Sequence, residues 1–343
     1  MSRDRGVRGG RRGRFALVTA SVAVLSMTAG GCVVVHGERE IVPTATRAEA
    51  ARALKDFTAA YNKADKEFDR SLDADRVAGA LADIDGAKLR VGNENYPDGN
   101  PSHTPLELTD AEFTIPEKAG WPRWFVADAD SNKGSEDARW LLVFTRASAD
   151  DVWAVSYLTM LNADDVPEFE KDADGNAQPV TADDAALAVA PGRLGKAYAD
   201  YMKVTGDDGD GGGSEDETFA PGSHTTVLRA EREKNGSRPG LARQYIDEPL
   251  TDGAYAPVGL RTKDGGALVF FATRHYEKQT AAQGVDISVP NRNVQALLTG
   301  DLKSSLTLEY VSNQAVLDPA RTASDRQVRF LSRVDGLTGA KGE

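Results

Sequence analysis

The stretch ATRAEAARALKDFTAAYNKAD, residues 45–65, predicts the first helix of the fold. Thr46 and Glu49 have the spacing of a capping box, in which each side chain satisfies a backbone amide of the other residue. Apolar side chains then recur at helical spacing along one face: Ala50, Leu54, Phe57 and Tyr61. A second helix is predicted over residues 73–84, and the Gly, Asn and Pro content of residues 92–104 predicts a loop.

Beyond this loop the apolar pattern changes to that of strands. Four short strands are predicted, over residues 106–113, 124–126, 140–145 and 152–161. The turns between them are short, and parallel neighbours would need a crossover of about a dozen residues or more. The strands are therefore expected to form an antiparallel meander, which makes residues 46–170 one α+β domain.

The second half of the chain repeats this order. LGKAYADYMK (194–203) aligns with LKDFTAAYNK (54–63), and LVFFATR (268–274) aligns with LLVFTR (141–146) after one insertion. The repeat predicts a linker at residues 171–180 and a second α+β domain at 181–335.

Several features are expected within this second domain. They are an acidic glycine loop at 206–217, an insertion at 276–304 with a helix near 294–298, and strands at 306–311 and 328–334. The glycines and lysines of the tail, residues 336–343, are expected to fray.

In the order of its elements, each half resembles the cystatin-like and nuclear-transport-factor-2-like folds. The resemblance implies two tandem domains, each with an N-terminal helix packed on a curved antiparallel sheet that leaves a cleft. The helix at residues 45–65 and the strands GWPRWFVAD (120–128) and RWLLVFTR (139–146) are also similar to uncharacterised actinobacterial lipoproteins. That likeness covers most of residues 45–335.

The N-terminus has the parts of a secretory signal. Six arginines and one acid, Asp4, lie in the first 14 residues, followed by the uncharged stretch FALVTASVAVLSMTA (15–29). About 15 apolar residues are too few to span a bilayer comfortably as a mature helix. Residues 1–31 are therefore predicted to be a signal peptide that is removed.

Cys32 is the one cysteine of the chain and follows Ala29-Gly30-Gly31. This site resembles the lipobox of bacterial lipoproteins, whose cysteine receives a diacylglycerol, although Ala29 stands where leucine is usual. The resemblance implies lipidation and palmitate at Cys32, a tether over residues 32–45, and a chain held on the extracytoplasmic face of the cell membrane. The alternative is a plain signal peptide with an incidental cysteine. Arg11-Arg12 leaves both the twin-arginine and the general secretory export routes open.

Charge excludes one class of partner. Without residues 1–31 the chain has 35 basic and 52 acidic residues, a net charge of −17. Such a surface is repelled by nucleic acids and by anionic lipid head groups, so nucleic-acid binding is not expected. With its one cysteine lipidated the chain has no disulfide, and its stability must come from hydrophobic cores.

The sequence lacks the patterns of several enzyme classes. It has no S-x-x-K, no G-x-S-x-G, no phosphate-binding glycine loop, and no two of its four histidines at metal-ligand spacing. We therefore predict no catalytic residue, no metal and no cofactor. His275 is the histidine that merits attention, because it ends an apolar strand. Trp121 and Trp124 form either a sugar-stacking platform or, as we favour, a core anchor.

These observations predict a non-enzymatic, membrane-anchored lipoprotein that binds a small ligand or an envelope protein. Two alternatives have distinct signatures. A cell-envelope hydrolase would use carboxylates around His275. A purely structural interaction module would expose a large apolar patch and have no pocket.

Overall fold

Antiparallel sheet dominates the computed structural model, which describes residues 40–135, 138–203 and 218–343. The predicted signal peptide, Cys32, most of the tether and the loop at 206–217 lie outside these residues. The described part contains five α-helices, in chain order: α1 (Arg47–Glu67), α2 (Gly79–Asn95), α3 (Pro191–Tyr201), α4 (Leu228–Asn235) and α5 (Arg292–Leu297). None of them combines the length and the hydrophobicity needed to cross a bilayer.

The strands form three sheets. In chain order they are β1 (Val42–Pro43), β2 (Leu108–Thr114), β3 (Glu117–Lys118), β4 (Arg123–Ser131), β5 (Ala138–Arg146), β6 (Ala154–Asn162), β7 (Ser237–Arg238), β8 (Leu241–Leu250), β9 (Val258–Arg261), β10 (Ala267–Ala281), β11 (Leu298–Thr299), β12 (Ser305–Asp318) and β13 (Arg329–Gly342). The four-stranded sheet has the order β2-β4-β5-β6. The seven-stranded sheet has the order β11-β13-β12-β10-β8-β7, with β9 also paired to β10, and β1 pairs with β3.

The first helix forms as its sequence predicts. Thr46 and Glu49 make the capping box, and the helix ends where Phe68 adopts a left-handed conformation. The buried face of α1 lies on the four-stranded sheet, where the Phe57 ring meets the Phe144 ring edge-on at 6.0 Å. Helix α1 is thus held by the same apolar pattern that predicts it.

Successive side chains of a strand point to opposite faces of its sheet, and this alternation lets the fold pack in four layers. On β5, Leu142 and Phe144 point toward α1, whereas Leu141 and Val143 point toward the large sheet. The large sheet meets them with one face of β10 and buries its other face under α3. The order of layers is therefore α1, four-stranded sheet, seven-stranded sheet, α3.

A polar contact joins the two sheets within their shared apolar core. Asn313 of β12 is fully buried, and its Nδ2 donates to the carbonyl oxygen of Leu158 at 2.8 Å. The backbone N–H of Leu158 donates back to Asn313 Oδ1 at 3.3 Å. Since β6 is an edge strand of its sheet, the Asn313 amide takes the place of a missing neighbouring strand.

The prediction of two separate tandem domains is not confirmed. The described residues all belong to one compact unit, and one core contains residues of both halves, among them Leu141 and Leu268. The predicted linker, residues 171–180, is bonded to both halves. The Ala177 N–H donates to the Ile115 carbonyl at 2.9 Å, and the Val180 N–H donates to the Gly259 carbonyl at 3.0 Å.

Three predicted boundaries are wrong. Helix α2 begins at Gly79 and continues to Asn95, into the predicted loop. The predicted insertion at 276–304 begins inside β10, which continues to Ala281, although α5 lies close to the predicted helix.

The predicted fraying tail is in fact the end of β13 and pairs with β12. Its glycines serve close packing. A Cβ atom at Gly336 would lie 2.8 Å from Ile84 Cγ2 on α2, which is too close for a side chain there.

We expect Asn313→Ala to lower the free energy of unfolding by about 3 kcal/mol, because it leaves two buried backbone groups of Leu158 without partners. Urea denaturation measures this value. Asn162→Ala is the matched control, since Asn162 is an exposed residue of β6 whose side chain bonds Asp165. The control should change the free energy of unfolding by about 0.5 kcal/mol or less. Equal losses in the two variants would contradict the role assigned to Asn313.

Candidate functional site

The two tryptophans singled out from the sequence lie in different surroundings. Trp124 is 5% exposed and packs in the core between the sheets, so its ring is not available to a ligand. Trp121 is half-buried, with the guanidinium groups of Arg123 and Arg146 at 4.7 and 5.0 Å from its ring. The pair therefore does not form a sugar-stacking platform.

His275 stands on the outer face of the large sheet, near the middle of β10. Cross-strand pairing places Asp247 on one side of it and Tyr310 on the other. The imidazole stacks on the Tyr310 ring, with ring centres 4.7 Å apart and planes 2° from parallel. His275 is 9% exposed, so little of it reaches solvent.

The surroundings keep His275 uncharged. Burial, with the positive charges of Arg232 and Arg333, lowers the pKa of His275 to about 2. Arg333 Nη2 lies 3.5 Å from His275 Nδ1. Because a guanidinium can only donate, Nδ1 is the acceptor of this weak contact. His275 thus offers neutral hydrogen-bonding groups throughout the physiological pH range.

Three arginines converge around the histidine, and each has a carboxylate partner. Arg232 of α4 makes two hydrogen bonds to Asp247, at 2.6 and 3.1 Å, with both side chains about 5% exposed or less. The other two pairs are Arg243 with Glu277 at 3.1 Å and Arg333 with Asp335 at 3.0 Å. A guanidinium has five N–H donors, so one carboxylate leaves donors over for a second acceptor.

A concavity of about 230 Å³ opens between α4 and this sheet face. Its lining includes His275, Tyr245, Tyr310 and the three arginines. The Arg232 guanidinium lies 5.1 Å from the centre of the Tyr245 ring. Fixed donors beside aromatic faces are suited to a small planar or anionic group.

The sequence identified His275 but missed its neighbours. The alternation Thr273, His275, Glu277 along β10 was a usable signal, since residues two apart share a face of a strand. Arg232, Arg243 and Arg333 lie far apart in sequence. Nothing local predicts the register that brings them together.

A second polar cluster lies between α1 and α2. Asp65 accepts hydrogen bonds from Lys88 Nζ at 3.0 Å and from Asn100 Nδ2 at 3.2 Å. Burial and then the nearby Asp85 carboxylate raise the pKa of Asp73 to about 8, and burial also raises the pKa of Asp85. The Asp73 and Asp85 carboxyls are largely sealed from solvent. Within the described residues, no three His, Cys, Asp or Glu side chains are grouped so as to hold a metal ion.

The model of a domain of unknown function, DUF8094, matches residues 41–342. The chain belongs to this family. It is 65% identical, over the full length of both chains, to an uncharacterized lipoprotein of Streptomyces avermitilis. It is 59% identical over both full lengths to one of Streptomyces coelicolor, and 27% identical to another from that organism over 97% of this chain and 96% of the relative. No solved structure matches the chain.

These names agree with the lipoprotein class predicted from the residues around Cys32. The names imply a lipid-modified, membrane-anchored protein. The similarity to the first two relatives extends over the whole chain. The finer resemblance to cystatin-like and nuclear-transport-factor-2-like folds is not confirmed.

The buried neutral histidine predicts an acid-sensitive stability. Its folded pKa of about 2 lies below the unfolded value of about 6.5, so on acidification the unfolded chain takes up a proton that the folded chain does not. This contribution to stability is complete above about pH 6.5 and is lost below it. We expect His275 to account for about 2 kcal/mol of lost unfolding free energy between pH 7 and pH 5.

Urea denaturation at both pH values measures the loss, and His275→Gln should remove this part of the pH dependence. His224→Gln is the control. His224 is only half-buried, and although burial also lowers its pKa, its replacement should remove a smaller part. An unchanged pH dependence in His275→Gln would show that His275 is not the responsible group.

Proposed function

We propose that this protein is a lipoprotein anchored through Cys32 on the extracytoplasmic face of the membrane, where it binds a small anionic ligand without turning it over. The names of its relatives support the lipid anchor. The binding proposal rests on one observation. Three arginines and a neutral histidine converge on one concavity, where three acidic residues match their charge and the N–H groups remain as directed donors.

The chemistry of the concavity favours binding over catalysis. A general base must accept a proton near the working pH, whereas the low pKa of His275 makes it a poor acceptor. Glu277 and Asp335 line the same concavity, but each lies within 3.1 Å of an arginine nitrogen. Such carboxylates hold the arginines in place.

The same features favour a small ligand over a protein partner at this place. None of the exposed large apolar side chains of the described residues lines the concavity around His275; they are Ile41, Tyr96, Val152, Met160, Val227, Ile246 and Val285. A partner held by apolar contact would need a contiguous patch. The arginine-rich concavity offers directed donors instead.

The anchor is tested with Cys32→Ser in the full chain. We expect the protein without the substitution to be in the membrane fraction after cell lysis. The variant should be in the soluble fraction, because serine cannot receive the thioether-linked lipid. Ser26→Ala, a change within the signal region, is the control and should remain with the membrane. Membrane retention of Cys32→Ser that resists high salt would contradict anchoring at Cys32.

Ligand binding is tested with citrate and inorganic phosphate as anionic probes, by titration calorimetry on the full chain. We expect Arg243→Gln to weaken citrate binding about tenfold or more, since it removes the N–H donors of a guanidinium and leaves the Glu277 carboxylate without its cationic partner. Arg321→Gln is the control, because Arg321 is exposed on the β12–β13 connection and loses the same charge. No saturable binding of either probe, or an equal loss in both variants, would contradict the proposal.

A further inference from the structure

Cations and aromatic rings alternate at one end of the four-stranded sheet. The Trp121 ring lies between Arg123 and Arg146, at 4.7 and 5.0 Å from their guanidinium carbons. Arg146 also lies 4.7 Å from the centre of the Trp153 ring. Two arginines are thereby held against indole faces on the surface of the protein.

The lack of a close carboxylate sets these two arginines apart from others of similar burial. Seven buried or half-buried arginines have a carboxylate within 4.0 Å, namely Arg76, Arg139, Arg232, Arg243, Arg261, Arg274 and Arg333. Within the described residues, no carboxylate lies that close to Arg123 or Arg146. Lys118 lies near these arginines, and burial and then the positive charge of Arg123 lower its pKa.

This end of the sheet is also where the described chain begins. Val42 of β1 pairs with Lys118 of β3, and the Thr44 hydroxyl donates to the Trp124 carbonyl oxygen at 2.6 Å. Cys32 precedes Glu40 by eight residues, which can span at most about 29 Å. A lipid on Cys32 therefore keeps the positive surface within that reach of the bilayer.

Apolar side chains border the positive charges. Ile41 is 67% exposed beside the first strand, and Val152 is 43% exposed next to Trp153. A concavity beside Trp153 is lined by Arg52, Arg76 and Arg146 and by Glu49, Asp56 and Asp151, so its formal charges cancel. The positive charge that remains on this surface comes from Lys118 and Arg123.

We propose that the surface formed by Ile41, Lys118, Trp121, Arg123, Arg146 and Val152, the anchor-side surface, docks on anionic phospholipid once Cys32 is lipidated. The proposal rests on the lipid anchor proposed above. Arginines beside indole rings and exposed aliphatic side chains are the groups that settle at a headgroup boundary. The net charge of −17 does not prevent this, because at about 0.1 M salt only charges within about 10 Å of the lipid interact strongly with it.

The test uses the full, lipidated protein on two kinds of vesicle, neutral phosphatidylcholine and an equimolar mixture with phosphatidylglycerol. Quenching of tryptophan fluorescence by brominated phospholipid reports docking, since Trp121 must approach the headgroups. We expect stronger quenching on the anionic vesicles, and we expect it to be lost at about 0.5 M salt, where screening acts within about 4 Å. Equal quenching on both vesicles would overturn the proposal.

Arg123→Gln/Arg146→Gln should lower the ratio of docked to undocked chain on the anionic vesicles about thirtyfold. Arg321→Gln/Arg326→Gln removes the same charge from exposed positions on the β12–β13 connection and should leave docking unchanged. Arg123→Lys/Arg146→Lys keeps the charge and should retain most docking, which separates a charge effect from misfolding. An equal loss in the control pair would overturn the proposal.

Flotation with the vesicles distinguishes the two proposals. Protein that floats with neutral and anionic vesicles alike is anchored by its lipid. The quenching of tryptophan fluorescence then shows whether the anchor-side surface also docks. Protein that floats with neither vesicle lacks the lipid, which overturns the anchor and the docking that depends on it.

Discussion

Burial of the interface between the two sheets is the constraint on which the rest of the structure depends. Leu141 and Val143 of one sheet meet Leu268 and Phe270 of the other, and all four side chains are fully buried. Without the large sheet, the inner face of the small one would lie open to water, a loss of roughly 25 cal/mol for every Å² of apolar area. The two halves of the chain are therefore parts of one folding unit.

This arrangement also explains where polar groups appear. The inner face of the interface admits a polar side chain only where it satisfies backbone groups, as Asn313 does for Leu158. On the outer face of the same sheet, the strands beyond the edge of α3 can carry polar side chains without this restriction. There β10 carries His275 and Glu277, and α4 brings Arg232 against them. The concavity thus arises where the strands extend past their helical cover.

The two proposed surfaces lie on different layers, and their arginines have different neighbours. Around His275, each arginine is matched by a carboxylate, so recognition depends on directed donors and on a neutral imidazole. Around Trp121, the arginines face indole rings, and no carboxylate of the described residues lies within 4.0 Å of either one. A strongly acidic chain can hold both because each depends on charges close to it and not on the total.

By itself the sequence determined the first helix, most strands of the small sheet and the lipoprotein class with which the relatives' names agree, since all three depend on short-range patterns. It pointed to His275 but placed Trp124 among the ligand candidates, although that ring is buried. Only the tertiary structure decided that the halves share one core and that the tail is a strand. Register between distant strands sets those features, and no local pattern encodes which residues meet across a sheet.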